Sequence, residues 1–258
     1  MKIATWNVNS LKVRLPHVLD WLGTSPVGSK VDVLCLQETK MTDDKFPQAE
    51  LTAAGFHVAF QGQKTYNGVA IIARHELDDV RFGIPGYADE QRRVIAATVQ
   101  GMRIVGAYFP NGQALDSDKY QYKLGWLEAM IGWMESEITV YSKLALLGDY
   151  NIAPEDRDVH DPKAWEGQVL VSPLERAAFQ RLIAMGFTDA YRLFEQAEKT
   201  FSWWDYRMLG FRRNAGMRID HILLSAALRD GCTACVIDKE PRRREQPSDH
   251  TPVVATLS

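Results

Sequence analysis

Short apolar runs that stop abruptly at polar groups recur along this chain, and they define its strands. Lys2-Ile3-Ala4-Thr5-Trp6 runs into Asn7-Val8-Asn9, Val31 to Leu36 into Gln37-Glu38, and Leu146-Leu147-Gly148 into Asp149-Tyr150-Asn151. Met217-Arg218-Ile219 likewise runs into Asp220-His221, and Ser248-Asp249-His250 precedes Pro252-Val253-Val254. Further strands are predicted over 56–60 and 68–73, and 94–99 with 103–108 reads as a hairpin about Gln100-Gly101. Between them the apolar period changes from two to about 3.6. Leu15, Val18, Leu19 and Leu22 mark a helix with Pro16 in its first turn, and a short helix is expected over 46–54. Tyr120, Leu124, Leu127, Met130, Ile131 and Met134 mark a long helix from an Asp116 cap to about Ile138. Leu174, Ala178, Leu182 and Met185 form the buried stripe of a third, closed by Gly186; residues 156–165 read as loop. Strands alternating with helices, plus a hairpin, predict the α/β (α+β) class with a mixed sheet. The Asn7-x-Asn9 ending echoes Asp149-x-Asn151 and suggests two similar halves.

Composition narrows the picture. With 258 residues, 46% of them hydrophobic, and no linker or repeat, residues 1–258 are expected to form a single domain. The net charge of −3 excludes a global basic field, so any polyanion must be gripped by local groups such as Arg207, Arg212, Arg213, Arg242, Arg243 and Arg244. Three cysteines argue against a disulfide framework, and the lone Cys232-x-x-Cys235 lacks the partners of a zinc or redox motif. The first apolar run is too short for a signal peptide and none approaches a membrane span, so a cytoplasmic protein with no membrane association is expected.

The polar strand ends carry the candidate chemistry. Alternate residues of an extended segment share a face, so Asp149 and Asn151 are expected to point the same way, with Gly148 letting the backbone bend. Asp, Asn and Gly are also what an ordinary polar turn uses. Several such ends, however, bring carboxylates and amides toward one point, which describes a site for a hard cation. Glu38 and Asp249, with Asn7 nearby, suit Mg²⁺, and Asp149 suits a base. Asp220 and His250 suit a carboxylate–imidazole pair that favours the charged ring, while His17, His57, His75 and His160 read as ordinary core or surface groups. Tyr108 ends a strand before the Pro110-Asn111-Gly112 turn, and Asn111 and Asn151 offer donors to phosphate oxygens. Phe201-Ser202-Trp203-Trp204-Asp205-Tyr206 is followed by Arg207, Arg212, Arg213 and Arg218, an aromatic and arginine mixture unusual for a core.

In this order the motifs Trp6-Asn7-Val8-Asn9, Leu36-Gln37-Glu38-Thr39-Lys40, Tyr108-Phe109-Pro110-Asn111-Gly112, Gly148 to Ala153, Phe201 to Arg207, Arg218-Ile219-Asp220 and Pro247-Ser248-Asp249-His250 span nearly the whole chain. The chain so read resembles the exonuclease III type of apurinic/apyrimidinic endonuclease, within the endonuclease/exonuclease/phosphatase superfamily that includes deoxyribonuclease I. The resemblance implies a four-layer sandwich, two mixed β-sheets face to face with helices outside. It implies a monomeric DNA repair enzyme acting on double-stranded DNA, cleaving 5′ to abasic sites or working from 3′ ends. It implies Mg²⁺, with Mn²⁺ as a substitute, held by Asn7, Glu38 and Asp249 with Asp149 and Asn151 adjoining. Asp149 would activate water or protonate the leaving group, and Asn151 would orient it. His250 paired with Asp220, Asn111 and Tyr108 would meet the scissile phosphate, Tyr108 as phenolate or as donor. Trp203 and Met217 would wall a pocket for the damaged sugar, and Arg207 would help hold DNA. Two positions depart from the pattern. Some relatives carry an acid at the place of Asn9, and Val169-Leu170-Val171 is bulky and apolar where endonuclease-type members often have a small or polar residue, a difference that would shift the balance toward 3′-end processing. A sibling phosphoesterase with a non-DNA substrate, and a non-catalytic DNA-binding relative, are the competing expectations. The aromatic–arginine run weighs against the first, and the presence of Glu38, Asp149, Asp220 and Asp249 against the second.

Overall fold

The computed structural model describes residues 1–258. In chain order the elements are β1 (Lys2–Asn7), α1 (Leu11–Thr24), β2 (Val33–Gln37), α2 (Gln48–Ala53), β3 (His57–Gln61), β4 (Val69–Ala73), β5 (Asp78–Phe82), β6 (Val94–Val99), β7 (Met102–Tyr108), α3 (Asp118–Val140) and β8 (Leu144–Asp149). There follow α4 (Pro162–Trp165), α5 (Pro173–Ala184), β9 (Thr188–Asp189), β10 (Trp203–Trp204), β11 (Gly216–Met217), β12 (Asp220–Leu224), α6 (Ala226–Arg229), β13 (Cys232–Ile237) and β14 (Val253–Leu257). Two six-stranded sheets form, ordered β13-β14-β1-β2-β4-β3 and β5-β6-β7-β8-β12-β9. The facing surfaces interdigitate Ile3, Cys35, Ile71 and Val253 of the first with Ile95, Ile104, Leu147 and Ile222 of the second. Trp6 and Leu34, on the outer face of the first sheet, pack with Trp21, Leu22 and Leu51 of α1 and α2. Val105 and Leu146, on the outer face of the second, pack with Trp126, Met130 and Phe179 of α3 and α5. This is the expected four-layer α/β sandwich. Each fully buried aliphatic side chain in these layers contributes roughly 1.5–3 kcal/mol.

Strand alternation then decides where the polar ends point. In β1, Ile3 faces the other sheet, so Thr5 and Asn7 do too; in β8, Ala145 and Leu147 do, so Asp149 follows. The same parity carries Ile104 to Tyr108 in β7 and Ile222 back to Asp220 in β12. Four polar strand ends therefore open onto the seam between the sheets.

The two halves are real, but they do not map as the echo suggested. Each sheet has one parallel pair, β1/β2 or β7/β8, flanked on both sides by antiparallel neighbours. In each, a helix joins the parallel pair, so β1-α1-β2 matches β7-α3-β8. The counterpart of Asp149 is thus the end of β2 at Gln37-Glu38, and the counterpart of Asn7 is Tyr108.

Other details differ from the sequence reading for local reasons. Ser117, not Asp116, caps α3, its hydroxyl accepting from the Tyr120 amide at 3.2 Å. Pro16 lies in the second turn of α1, on the exposed side, where solvent reaches the carbonyl its ring leaves without a donor. Leu174 is exposed while Glu175 replaces it in the buried stripe of α5. Gly148 stays within β8, and its lack of a side chain makes room for the Ala107 carbonyl rather than a bend. Residues 156–165 contain a helical turn and α4. Cys35, Cys232 and Cys235 are free, with their thiols pushed up by burial. No helix is long and apolar enough to cross a membrane.

Candidate active site

Register places the site. Asp149 lies opposite Asp220 across the antiparallel β8/β12 pair and beside Tyr108 across the parallel β7/β8 pair, while Asn7 ends β1 beside Gln37 of β2. Past the strand ends the backbone turns left-handed at Asn9 (φ 43°), Glu38 (φ 53°) and Asn151 (φ 49°), a conformation that asparagine tolerates and that is costly for glutamate. Asn7 is tied to the loop before β14, where Ser248 Oγ donates to the Asn7 carbonyl at 2.7 Å and accepts from the His250 amide at 3.2 Å.

Asn7 Nδ2 donates to Glu38 Oε1 at 2.7 Å and to Asp149 Oδ2 at 2.9 Å. The Asp149 carboxylate also accepts from the Asn151 amide at 2.9 Å and from Asn151 Nδ2 at 3.3 Å. Asn151 Oδ1 in turn accepts from Asn111 Nδ2 at 2.9 Å. His250 Nδ1 donates to Asp220 Oδ2 at 2.9 Å, and its Nε2 stands 3.6 Å from Asp149 Oδ2. Ser202 Oγ completes the dyad by donating to Asp220 Oδ2 at 2.7 Å. Arg93 lies 4.7 Å from the centre of the Tyr108 ring.

Burial pushes the Asp149 carboxyl up to about 7, opposed by His250 and reinforced by Asp220. Burial alone would lower His250, but Asp220 and then Asp149 outweigh it and lift the imidazole up to about 10. The ring is therefore an imidazolium between two carboxylates. Burial, then Glu38 and Asp149, hold the Tyr108 hydroxyl well above the ordinary phenol range, so it stands as a protonated donor rather than a phenolate.

Oxygens of Glu38 and Asp149 and a nitrogen of His250 lie within 4.8 Å of one another. The two carboxylates suit a hard divalent cation, whereas a charged imidazolium does not ligate. The remaining candidate ligands take part in the hydrogen-bond network around these acids. Asn7 turns its NH₂ toward both carboxylates, tying the acids together, and its oxygen accepts from the Asn9 amide at 3.0 Å. Asn151 has both amide atoms committed to Asn111, Phe109 and Asp149. Asp249 sits one step out, accepting from Asn9 Nδ2 at 2.9 Å and from Trp203 Nε1 at 3.1 Å. Lys40, which the sequence did not single out, bridges Glu38 Oε2 at 2.7 Å and Asn9 Oδ1 at 2.5 Å.

The residues considered for DNA divide similarly. Trp203 is half-buried at the site's edge, but Met217, its partner across β10/β11, is wholly enclosed and backs that wall from beneath. Arg207 is exposed and chelated by its neighbour Asp205 at 2.7 Å, and Arg212 and Arg213 are exposed. Arg218 is not a surface group: it is fully buried against Asp158 (2.7 Å) and Asp189 (2.8 Å). Arg242 packs on Tyr206 and Phe211, and Arg244 pairs with Asp20 and Glu240.

Behind the Asn151 turn, His221 is buried with Nε2 at 2.8 Å from the Ile152 carbonyl and Nδ1 at 3.0 Å from Arg218. Burial and then Arg218 pull it down to about 3, so it stays neutral, Nε2–H donating and Nδ1 accepting. A folded value below the unfolded one means that the unfolded chain binds the extra proton. The stability is complete above about pH 6.5 and drains as pH falls toward 3, by on the order of a few kcal/mol. Nitrogen-15 spectra at pH 5 should show His221 as the neutral Nε2–H tautomer; an imidazolium there would refute this assignment.

With this geometry in view, comparison with known proteins is direct. Residues 4–250 match the Endonuclease/Exonuclease/phosphatase family, and the chain belongs to it. It is 35% identical to the exodeoxyribonuclease III of Haemophilus influenzae, over 99% of each chain. The 3′-5′ exonuclease NExo of Neisseria meningitidis is 48% identical over the full length of both chains, with a TM-score of 0.96. A Neisseria structure described as the 3′ phosphatase NExo bound to product DNA hairpin is 47% identical over 100% of this chain and 99% of that one, at 0.97. An AP endonuclease of Archaeoglobus fulgidus is 39% identical over 100% of this chain and 99% of that one, with a TM-score of 0.95.

Proposed function

We propose that this chain is a divalent-cation-dependent DNA repair nuclease that hydrolyses phosphodiesters in duplex DNA, with removal of nucleotides and blocking groups from 3′ ends outweighing incision 5′ to abasic sites. The observation that carries the reading is the convergence of Glu38, Asp149 and the Asp220–His250 dyad on one seam. Glu38 and Asp149, with Asp249 one step out, would hold Mg²⁺ or Mn²⁺, which supplies positive charge for a phosphate oxygen. Asp149, lifted toward neutrality, moves the proton of the attacking water or leaving oxygen, and Asn151 fixes its direction. The His250 imidazolium and the Asn111 and Tyr108 donors face the charge that develops on phosphate. A cleft of about 690 Å³ runs from Glu38 and Tyr108 past Lys40, Arg93, Asn111 and Lys119, a local basic path for a strand despite the acidic chain. Free cysteines suit a reducing cytoplasm, and the enzyme acts as a monomer in this reading.

The balance of activities is argued from Leu170. It is buried with φ 77° in a cluster with Val171, Met217 and Ile219, against which Val169 and Trp203 pack. A nucleotide without its base is the cheapest to swing out of a duplex, but its sugar still needs room beside Trp203. The 169–171 loop takes up that room. Leu170→Gly should relieve the left-handed strain and raise abasic incision relative to 3′-end removal by on the order of 10-fold. The test uses Mg²⁺ with an internally abasic duplex and, separately, a duplex with a recessed or phosphate-blocked 3′ end. Wild-type protein should process the 3′ end faster. Cleavage of neither DNA, alongside hydrolysis of a soluble phosphomonoester, would move the chain to a sibling phosphoesterase; an unchanged ratio in Leu170→Gly would clear the loop of any role.

A further inference from the structure

Two charged pairs are buried in the outer layer of the sandwich, Arg103 of β7 with Glu137 of α3 and Lys123 of α3 with Glu175 of α5, and the second reaches the active-site turns. Along α3 the buried stripe runs Tyr120, Lys123, Leu127, Met130 and Met134, and along α5 it runs Glu175, Ala178, Phe179 and Leu182. A lysine and a glutamate thus occupy core positions. Both side chains are entirely buried and form an ion pair with each other. Burying two charges costs more than their attraction returns unless their remaining hydrogen bonds are met. They are met, and by three separate loops.

Lys123 Nζ donates to the Asn151 carbonyl at 2.7 Å and to the Asn111 carbonyl at 3.1 Å. Glu175 Oε1 accepts from the Leu170 amide and Oε2 from the Ser172 amide, each at 3.0 Å. The turn after β8 is also held at its next two carbonyls, Ile152 by His221 at 2.8 Å and Ala153 by Arg176 at 3.1 Å. Only Lys123, though, reaches both Asn151 and Asn111, whose side-chain amides meet each other at 2.9 Å on the seam. Asn151 holds a left-handed backbone, a conformation that asparagine tolerates and that these hydrogen bonds fix in place.

We propose that Lys123, fixed by Glu175, is a positioning residue that sets the Asn111–Asn151 amide pair relative to Asp149 and couples it to the loop bearing Leu170. The proposal rests on the nuclease reading above. An ammonium on two main-chain carbonyls fixes where two side chains point without touching DNA. Its loss leaves the strand free to bind and displaces the groups that meet the reacting phosphate.

The experiment replaces both members, Lys123→Met with Glu175→Gln, so that no unpaired charge remains buried. Kinetics are measured per folded molecule on the DNA that wild type cleaves fastest. The expected result is a kcat lower by on the order of 100-fold, with KM and the Mg²⁺ concentration for half activity within about threefold of wild type. A kcat within twofold of wild type overturns the proposal, whatever happens to melting temperature. So does an equal rise in KM with kcat unchanged, the mark of lost binding rather than misalignment. The wild-type protein provides a second measurement that needs no variant. Lys123 Nζ should show through-hydrogen-bond couplings to the carbonyl carbons of Asn111 and Asn151, and absence of both couplings overturns the proposal. Wild type inactive on every DNA would instead strike the nuclease reading itself.

Discussion

Asp149→Asn is expected to fold as wild type does and to lose roughly 10²- to 10⁴-fold in rate, the range of what a positioned proton-transfer group supplies. The side chain is almost wholly buried at the end of β8, and its two oxygens accept from the Asn151 main chain, Asn151 Nδ2 and Asn7 Nδ2. An amide has one acceptor oxygen where the carboxylate has two, so one of these bonds is lost, at about 1 kcal/mol. Against that, the variant no longer buries a carboxyl that desolvation has already driven up to about 7. The two effects oppose, and melting should move by only a few degrees. Rate behaves differently because an amide can neither take nor return a proton, and because His250 loses the second carboxylate facing its Nε2. Steady-state cleavage and a thermal melt on the same preparation suffice. Turnover within tenfold of wild type would take Asp149 out of the chemistry. A collapse in melting temperature with normal turnover per folded molecule would leave it a structural role alone.

Much of this site was legible because strands announce their ends. Apolar runs stopping at Asn7, Gln37, Asp149 and Asp220 located the rim, and strand parity, counted from Ile3, Leu147 and Ile222, places Asn7, Asp149 and Asp220 on the same seam. What the pattern could not supply was pairing. That Asp149 faces Asp220 follows from β12 lying antiparallel to β8, a contact between distant segments with no local signature. For the same reason the Asn-x-Asn echo pointed to the wrong counterpart: topology equates β8 with β2, not with β1. Left-handed turns at Glu38 and Asn151 were equally silent, since neither residue type requires them. Arg218 was read with the surface arginines because its acids, Asp158 and Asp189, lie far from it in sequence. Lys123 and Glu175 went unread as well: Lys123 lies between the apolar positions counted along α3, and Leu174 was given the place in the α5 stripe that Glu175 fills. A polar residue inside an otherwise apolar stripe is a signal that something in the interior needs it.

Removal of divalent cations should abolish cleavage entirely, and the way individual substitutions change metal affinity should identify what holds the ion. Glu38 and Asp149 approach each other on the seam, and two carboxylates that close repel unless something positive stands between or beside them. Here the compensation comes from Asn7 Nδ2, the His250 ring and the Lys40 ammonium, which reaches Glu38 at 2.7 Å. Lys40 therefore competes for the oxygen that a cation would use. Opposite signs follow. In the absence of DNA, Glu38→Ala should weaken Mg²⁺ or Mn²⁺ binding by roughly 100-fold or more, while Lys40→Met, which removes the competitor and leaves the carboxylate, should strengthen it by a few-fold. Asp249 stands further out, held by Asn9 and Trp203, so Asp249→Asn should weaken the metal less than Glu38→Ala does. Calorimetric titration with Mn²⁺ reads all three variants without any dependence on catalysis. Cleavage should vanish in EDTA, return with added Mg²⁺, and in Glu38→Ala return only at far higher Mg²⁺. Undiminished cleavage in EDTA would end the metal-dependent reading. A Glu38→Ala variant that binds Mn²⁺ as wild type does would move the ion away from the convergence of Glu38 with Asp149.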